Sequence, residues 1–181
     1  MKKIAIILVI FSLSIINSAA FASFTPLPIT NVDSVALIDK CNVLLSVLNR
    51  GYQCTRPEAF KVRPNEIMYR SYVGRKTASD PMNGAIIILE NISDHDVMCV
   101  FVVQNQNDNV LSHRSGEVMA AIAFSCGLTT EELSHLSDQV THTKIGSGTV
   151  WSSKNKIYYT MKIQPNLIEQ HSAVVLVAHN Q

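Results

Sequence analysis

Three patterns in this chain predict an α+β fold: a mainly antiparallel sheet of five to six strands with about three helices packed against it. Apolar residues recur at three- and four-residue steps in some stretches, the period of a helix face. Other stretches alternate, or run continuously apolar for a strand's length, between clusters of turn residues. The connections between neighbouring strand candidates are short, which implies hairpins and antiparallel pairing.

The first helix is predicted from Ser34 to Arg50, where Leu37, Cys41, Leu44, Leu45 and Leu48 keep the helical period. Asp33 or Ser34 caps its start, and Gly51 is expected to end it in the left-handed conformation. Residues 52–65 are turn-rich, with Pro57 and Pro64. Glu66 to Val73 reads as a strand, with Ile67, Tyr69, Ser71 and Val73 on one face and Met68, Arg70 and Tyr72 on the other. A loop follows over Gly74 to Gly84. Gly84 to Ile92 and Val97 to Gln104 are the strongest strands, joined by the polar turn 91–96 and apolar enough to be buried on both faces.

Gln104 to Asn109 reads as a solvated turn and Val110-Leu111 as a short strand. Ser115 is expected to cap a buried helix that starts near Gly116 or Glu117 and ends at Cys126-Gly127. Thr129 and Glu132 fit a capping box, opening a helix with Leu133, Leu136 and Val140 as its apolar stripe. These two helices form an αα-hairpin turning at Gly127-Leu128. Thr149 to Ser153 and Ile157 to Ile163 read as strands, the second ended by Pro165. Residues 166–172 read as a helical turn, and Ser172 to Ala178 as a last central strand.

Residues 1–22 have the form of a secretory leader. Lys2 and Lys3 precede the apolar run Ile4 to Ile16, and Ala20-Phe21-Ala22 presents small residues for cleavage after Ala22. The apolar run is short for a bilayer span, which needs about 20 residues. The expected product is an exported, periplasmic or extracellular protein, folded as one domain over 23–181 and not membrane-spanning. The short leader with paired lysines has a bacterial character. Without Lys2 and Lys3, 13 basic side chains face 14 acidic ones. A near-neutral domain has no general electrostatic drive toward nucleic acid.

All four cysteines, Cys41, Cys54, Cys99 and Cys126, follow the leader. An even count in an exported chain favours two disulfides. Cys41–Cys54 is the favoured first pair. From a helix end near Arg50, Cys41 lies about 13 Å back. An extended 51–54 segment spans that distance. Cys99–Cys126 then follows by exclusion. The four lack the CxxC spacing of a zinc site.

No stretch carries a decisive catalytic motif. Segment 56–80 is locally basic, with Arg56, Lys61, Arg63, Arg70, Arg75 and Lys76 against Glu58, Glu66 and Asp80. Arg63, Tyr69, Arg70, Tyr72, Arg75 and Lys76 are the candidate surface for a protein partner or an anionic or glycan ligand. The same charges also suit an ordinary edge strand, where they discourage aggregation. Ser115 before a helix N-terminus, with His113 and Glu117, is the best nucleophile–base–orienter set, against the simpler reading of a capping serine.

Glu131, His135, Asp138 and His142 share one helix face, as metal ligands or as the wet side of an amphipathic helix; the second reading is preferred and no metal is expected. The GLTTEEL hairpin resembles DNA-reading helix pairs only superficially, since Glu131, Glu132 and Asp138 would face phosphates. No glycine-rich phosphate cradle follows a strand, so no cofactor is expected. Asn91-Ile92-Ser93 is an N-glycosylation sequon, relevant in a eukaryotic host. The exposed Trp151 and the Tyr158-Tyr159 pair are weak candidates for a groove, because one tyrosine of the pair should point inward. The expected function is non-catalytic binding or interaction. A small secreted hydrolase and a structural or assembly component of the cell envelope are the alternatives.

Overall fold

A computed structural model describes residues 32–63, 66–93, 95–142, 146–168 and 170–180. The proposed leader, residues 23–31, Pro64 and Asp94 lie outside the described residues. The described residues form an α+β fold of three helices and seven strands. In chain order these are α1 (Ser34–Val47), β1 (Glu58–Arg63), β2 (Glu66–Tyr72), β3 (Ala85–Glu90), β4 (Asp96–Asn105), α2 (Asn109–Ser125), α3 (Thr130–His142), β5 (Ser147–Ser152), β6 (Ile157–Ile168) and β7 (His171–His179). One sheet runs β1-β2-β3-β4-β7-β6-β5, antiparallel at every pairing. The chain leaves the sheet after β4, makes two helices, re-enters at the far edge as β5 and returns to place β7 beside β4.

The helices share one side of the sheet. Helix α2 packs on β4 and β7, α3 packs on β5 and β6, and α1 packs against α2. The core on that side joins Leu37, Ile38, Leu44 and Leu45 of α1, Val118 and Ile122 of α2, Leu133 and Leu136 of α3, and Ile86, Ile88, Val100, Val102, Val174 and Leu176 of the sheet. A second apolar cluster lies on the other face: Tyr72, Ala85, Cys99, Val103, Ala173 and Val175, with Ile87, Phe101 and Val177 packed against it. That double burial is why β3, β4 and β7 read as unbroken apolar runs. Gly148 lets α3 sit directly on β5. A Cβ there would lie 2.6 Å from Gln139 Cβ and 3.0 Å from the Leu136 carbonyl.

The caps explain where the helices begin and end. Asp33 Oδ1 accepts from Ala36 N at 2.9 Å. Thr129 and Glu132 form the expected box, Thr129 N donating to Glu132 Oε2 and Glu132 N to Thr129 Oγ1. Gly127, at φ 88°, turns the αα-hairpin, and Leu128 N donates to the Ala123 carbonyl.

Four expectations are corrected. Helix α1 ends through Asn49 at φ 52°, not Gly51. Asn49 N bonds Ser46 O and Arg50 N bonds Leu45 O, the paired closure of a left-handed helix end. Asn serves because its short polar side chain tolerates that region. The turn-rich 52–65 segment contains strand β1. Helix α2 begins at Asn109, so Val110 and Leu111 form its first turn rather than a strand. Asp108 is the cap, its Oδ1 accepting from Leu111 N at 2.8 Å, and Ser115 lies inside the helix. Strand β6 continues past Pro165 to Ile168, across a register shift between Gln164 and Ile168 that leaves the proline outside the ladder. Residues 166–168 and 171–172 are thus strand, with Asn166 and Gln170 at positive φ, not helix.

The cysteines divide between the two faces of the sheet. All four are buried, with no bridge between them in this structure. Cys41, Cys54 and Cys126 belong to the helix-side core, whereas Cys99 belongs to the cluster on the opposite face. The sheet lies between Cys99 and Cys126, so that pairing does not fit. Cys126 Sγ instead meets Met98 Sδ at 3.8 Å, and Met98 alternates with Cys99 across the sheet.

Candidate functional site

The site is a cleft between the segment after α1, the start of the 74–84 loop and the N-terminal half of α2. Its position follows from local bonding. The left-handed turn at Asn49 directs Arg50 and Tyr52 toward α2. Asn42 of α1 then clamps Cys54 twice, its Nδ2 donating to the Cys54 carbonyl at 2.9 Å and its Oδ1 accepting from Cys54 N at 2.7 Å. Cys54 bridges to Val73, Thr55 exchanges bonds with Tyr72, and Gly74 N donates to the Gln53 carbonyl. Residues 51–55 are thereby stitched to the end of β2.

The cleft encloses about 670 Å³ and is lined by Tyr52, Cys54, Arg75, Asn83, Asp108 and Arg114, among others. An adjoining hollow shares Gly51, Tyr52, Val110 and Arg114 and reaches Arg50, His113 and Glu117. Glu117 is its anchor, a carboxylate only 2% exposed. Arg50 Nη2 lies 2.9 Å from Glu117 Oε1 and the Tyr52 hydroxyl donates to Glu117 Oε2. The Arg50 contact is an ion pair without the alignment of a hydrogen bond. Burial and the neighbouring Glu117 push the Tyr52 phenol well above its ordinary value, so it stays a donor. Arg114 lays its guanidinium over the Tyr52 ring, 4.9 Å from the centroid.

Charge in the cleft is unbalanced. Glu117 is matched by Arg50. Asp108 spends both oxygens on Leu111 N and Asn83 Nδ2. Neither Arg75 nor Arg114 has an ion-pair partner among the described residues.

The proposed hydrolytic set does not assemble. His113 Nε2 is 3.4 Å from Glu117 Oε1, as its i, i+4 spacing allows, and is half-exposed. Ser115 is completely buried, and its hydroxyl bonds to neither of them. Because α2 starts at Asn109, the amides beside Ser115 belong to the helix interior and form no oxyanion hole.

The basic candidates are also divided. Arg75 lines the cleft. Arg70, Tyr72 and Lys76 meet beyond the sheet's other face, with Arg70 5.1 Å from the Phe60 ring centroid and 5.8 Å from that of Tyr72, and Lys76 5.9 Å from that of Tyr72. Tyr69 packs into the helix-side core. Arg63 ends β1, and its side chain lies outside the described residues. On α3, Glu131, His135, Asp138 and His142 are all exposed, opposite buried Leu133, Leu136 and Val140. His142 Nδ1 turns to the Asp138 carbonyl, 2.8 Å away, rather than to a carboxylate.

One polar network had no sequence signal. Asp80, in the 74–84 loop, lies 2.8 and 3.0 Å from His171 Nε2 through its two oxygens. It also accepts from Asn105 Nδ2 at 2.9 Å and from Asn83 N. Asn83 in turn reaches Asp108 at the start of α2. The network ties the loop carrying Arg75 to β4, β7 and α2. The Asn105 hydrogen bond foremost, and then His171, hold the Asp80 carboxyl below its ordinary value against the opposing effect of burial. A depressed folded pKa gives stability that is present above the unfolded value of about 3.9 and lost as pH falls through the folded value. The urea midpoint should therefore fall with acidification from about pH 4 downward, and an Asp80→Asn variant should show a flatter profile over that window. Parallel profiles would mean that Asp80 is not linked to folding.

Comparison with protein-family models, curated proteins and solved structures found no match to this chain.

Proposed function

We propose that this is an exported, non-catalytic binding protein that holds an anionic group of its ligand in the cleft between Arg75 and Arg114. One observation carries the reading: two guanidinium groups line the same cleft with no carboxylate matched to either among the described residues. A guanidinium binds carboxylate or phosphate through paired donors, and such charge-assisted bonds are strong when partly desolvated. Tyr52 restrains Arg114 before any ligand arrives, which lowers the entropic cost of binding. The bonds through Asn42 and Asp80 hold both walls. Export rests on the leader-like N-terminus. No helix among the described residues is long and apolar enough to cross a membrane.

Short-chain polyphosphate is a suitable probe, measured by titration calorimetry. Binding should weaken as salt rises. It should fall by roughly tenfold or more in an Arg75→Glu/Arg114→Glu double variant. Arg70→Glu, beyond the other sheet face, should leave it unchanged. Loss in the Arg70 variant with none in the double variant would move the site to the outer face and overturn the cleft reading.

A further inference from the structure

The outer sheet face carries a second feature, distant in the sheet order from β2 and its loop. Trp151, Tyr158 and His179 are direct cross-strand neighbours on β5, β6 and β7. Their rings form a continuous row. Trp151 and Tyr158 have centroids 4.7 Å apart at 55°, and Tyr158 and His179 are stacked at 5.7 Å and 19°. The next row of the same face is Thr149, Thr160 and Val177. Thr149 Oγ1 and Thr160 Oγ1 are 2.9 Å apart, and Thr160 Oγ1 is 2.9 Å from His179 Nε2, which fixes the imidazole. Trp151, on the edge strand, remains 44% exposed.

The electrostatics of this region are one-sided. From Ser147 to Ile168 the chain has Lys154, Lys156 and Lys162 and no Asp or Glu, and β7 has no acid either. Lys162 follows Thr160 on the same face, paired with Ser147 and Val175. The acid that faces the row is Asp96, the register partner of His179 on β4. The three lysines are exposed.

We infer that the Trp151–Tyr158–His179 row is a binding platform for an acidic glycan. A strip of ring faces suits the apolar C–H faces of pyranoses, and Tyr and Trp present large rigid area at low entropic cost. The threonine hydroxyls supply donors and acceptors to sugar hydroxyls. The lysines complement carboxylate groups along the chain. The rings already pack on one another, leaving no slot for an inserted nucleobase, so a glycan fits better than single-stranded nucleic acid.

Trp151 is the sole tryptophan, so its emission reports on this site alone. Titration with an oligouronate should change the emission saturably, and the effect should weaken with salt. A neutral oligoglucose of the same length and an oligothymidylate should bind at least about tenfold more weakly. Lys162→Glu, at an exposed position, and Tyr158→Ala, checked for folding by circular dichroism, should each weaken oligouronate binding by roughly tenfold. The Arg75→Glu/Arg114→Glu variant should retain it, which separates this site from the cleft. No saturable change with oligouronate would overturn the platform, as would unaltered binding in Lys162→Glu and a folded Tyr158→Ala. Equal binding of the neutral chain would overturn its preference for acid, and tighter binding of oligothymidylate would overturn the glycan assignment.

Discussion

Replacing Arg50 by methionine should destabilise the protein by about 3 kcal/mol, because it strands a buried carboxylate. Glu117 is 2% exposed and Arg50 is the one basic side chain 2.9 Å from it. His113, at 3.4 Å, is half-exposed and well hydrated, and it is a poor substitute. The Tyr52 hydroxyl would still donate, which holds the loss toward the lower end of the range for breaking a buried pair. Urea unfolding at neutral pH measures the effect. Arg50→Lys should recover part of it, since charge returns without the planar fork. An Arg50→Met/Glu117→Gln double variant should recover most of it, since no buried charge then lacks a partner. A loss below about 1 kcal/mol in Arg50→Met would place the carboxylate in contact with water. The same variants bear on the cleft. Tyr52 is held by Glu117 and carries Arg114 on its ring, so disturbing Glu117 should also loosen Arg114.

Sequence disclosed the elements that bury most: β3, β4 and β7 as unbroken apolar runs buried on both faces, and α3 by its single apolar stripe. Helix α3 shows Leu133, Leu136 and Val140 at helical spacing because its other side is wet. Strand β1 was obscured because it has little to bury. It is an edge strand between two prolines, Val62 is exposed, and charged Glu58, Lys61 and Arg63 break the alternation. The first half of α2 was obscured for a related reason: exposed Val110 beside buried Leu111 imitates a strand, and the Asp108 cap is recognisable only from its bond to Leu111 N. The face occupied by Cys99 was hidden by the apolar run Met98 to Val103, in which both faces are apolar and alternation carries no contrast.

The cleft was less legible than the fold. Sequence grouped Arg70, Arg75 and Lys76 by proximity, yet the pleat sends Arg70 to the outer face and the loop carries Arg75 round to the helix side. Arg114 joins Arg75 only because α2 begins two turns earlier than its apolar pattern implies. The Asp80–His171 contact spans 91 positions, and no local rule connects a loop aspartate to the first residue of a final strand. The hairpin with three lysines and no acid was visible as composition. Its meaning depended on the register that places Trp151, Tyr158 and His179 in one row.

Oxidation should join Cys41 to Cys54 and leave Cys99 and Cys126 as thiols. Asn42 fixes the Cys54 backbone beside the helix that carries Cys41, both cysteines lie in the helix-side core, and the neighbouring Cys54 with burial raises the Cys41 value. Cys126 is pushed up to about 12 by burial, and Cys99 up to about 11. Cys41 is raised as well, so position rather than acidity selects the pair: Cys99 lies across the sheet from the other three, and Cys126 Sγ meets Met98 Sδ. Closing the loop between Cys41 and Cys54 removes chain entropy from the unfolded state worth about 3 kcal/mol. The urea midpoint after treatment with oxidised glutathione should rise accordingly and return on reduction. Cys54→Ser should abolish the response, and Cys99→Ser should leave it intact. Alkylation under denaturing conditions should then mark two cysteines per chain, which peptide mapping would assign to Cys99 and Cys126. Four alkylated cysteines after that treatment would defeat the argument, and so would an unchanged midpoint with the bond formed. The bond would also secure the base of the cleft, because Cys54 bridges to Val73, two residues before Arg75. Oxidation should therefore tighten polyphosphate binding in the wild-type protein and have no such effect in Cys54→Ser.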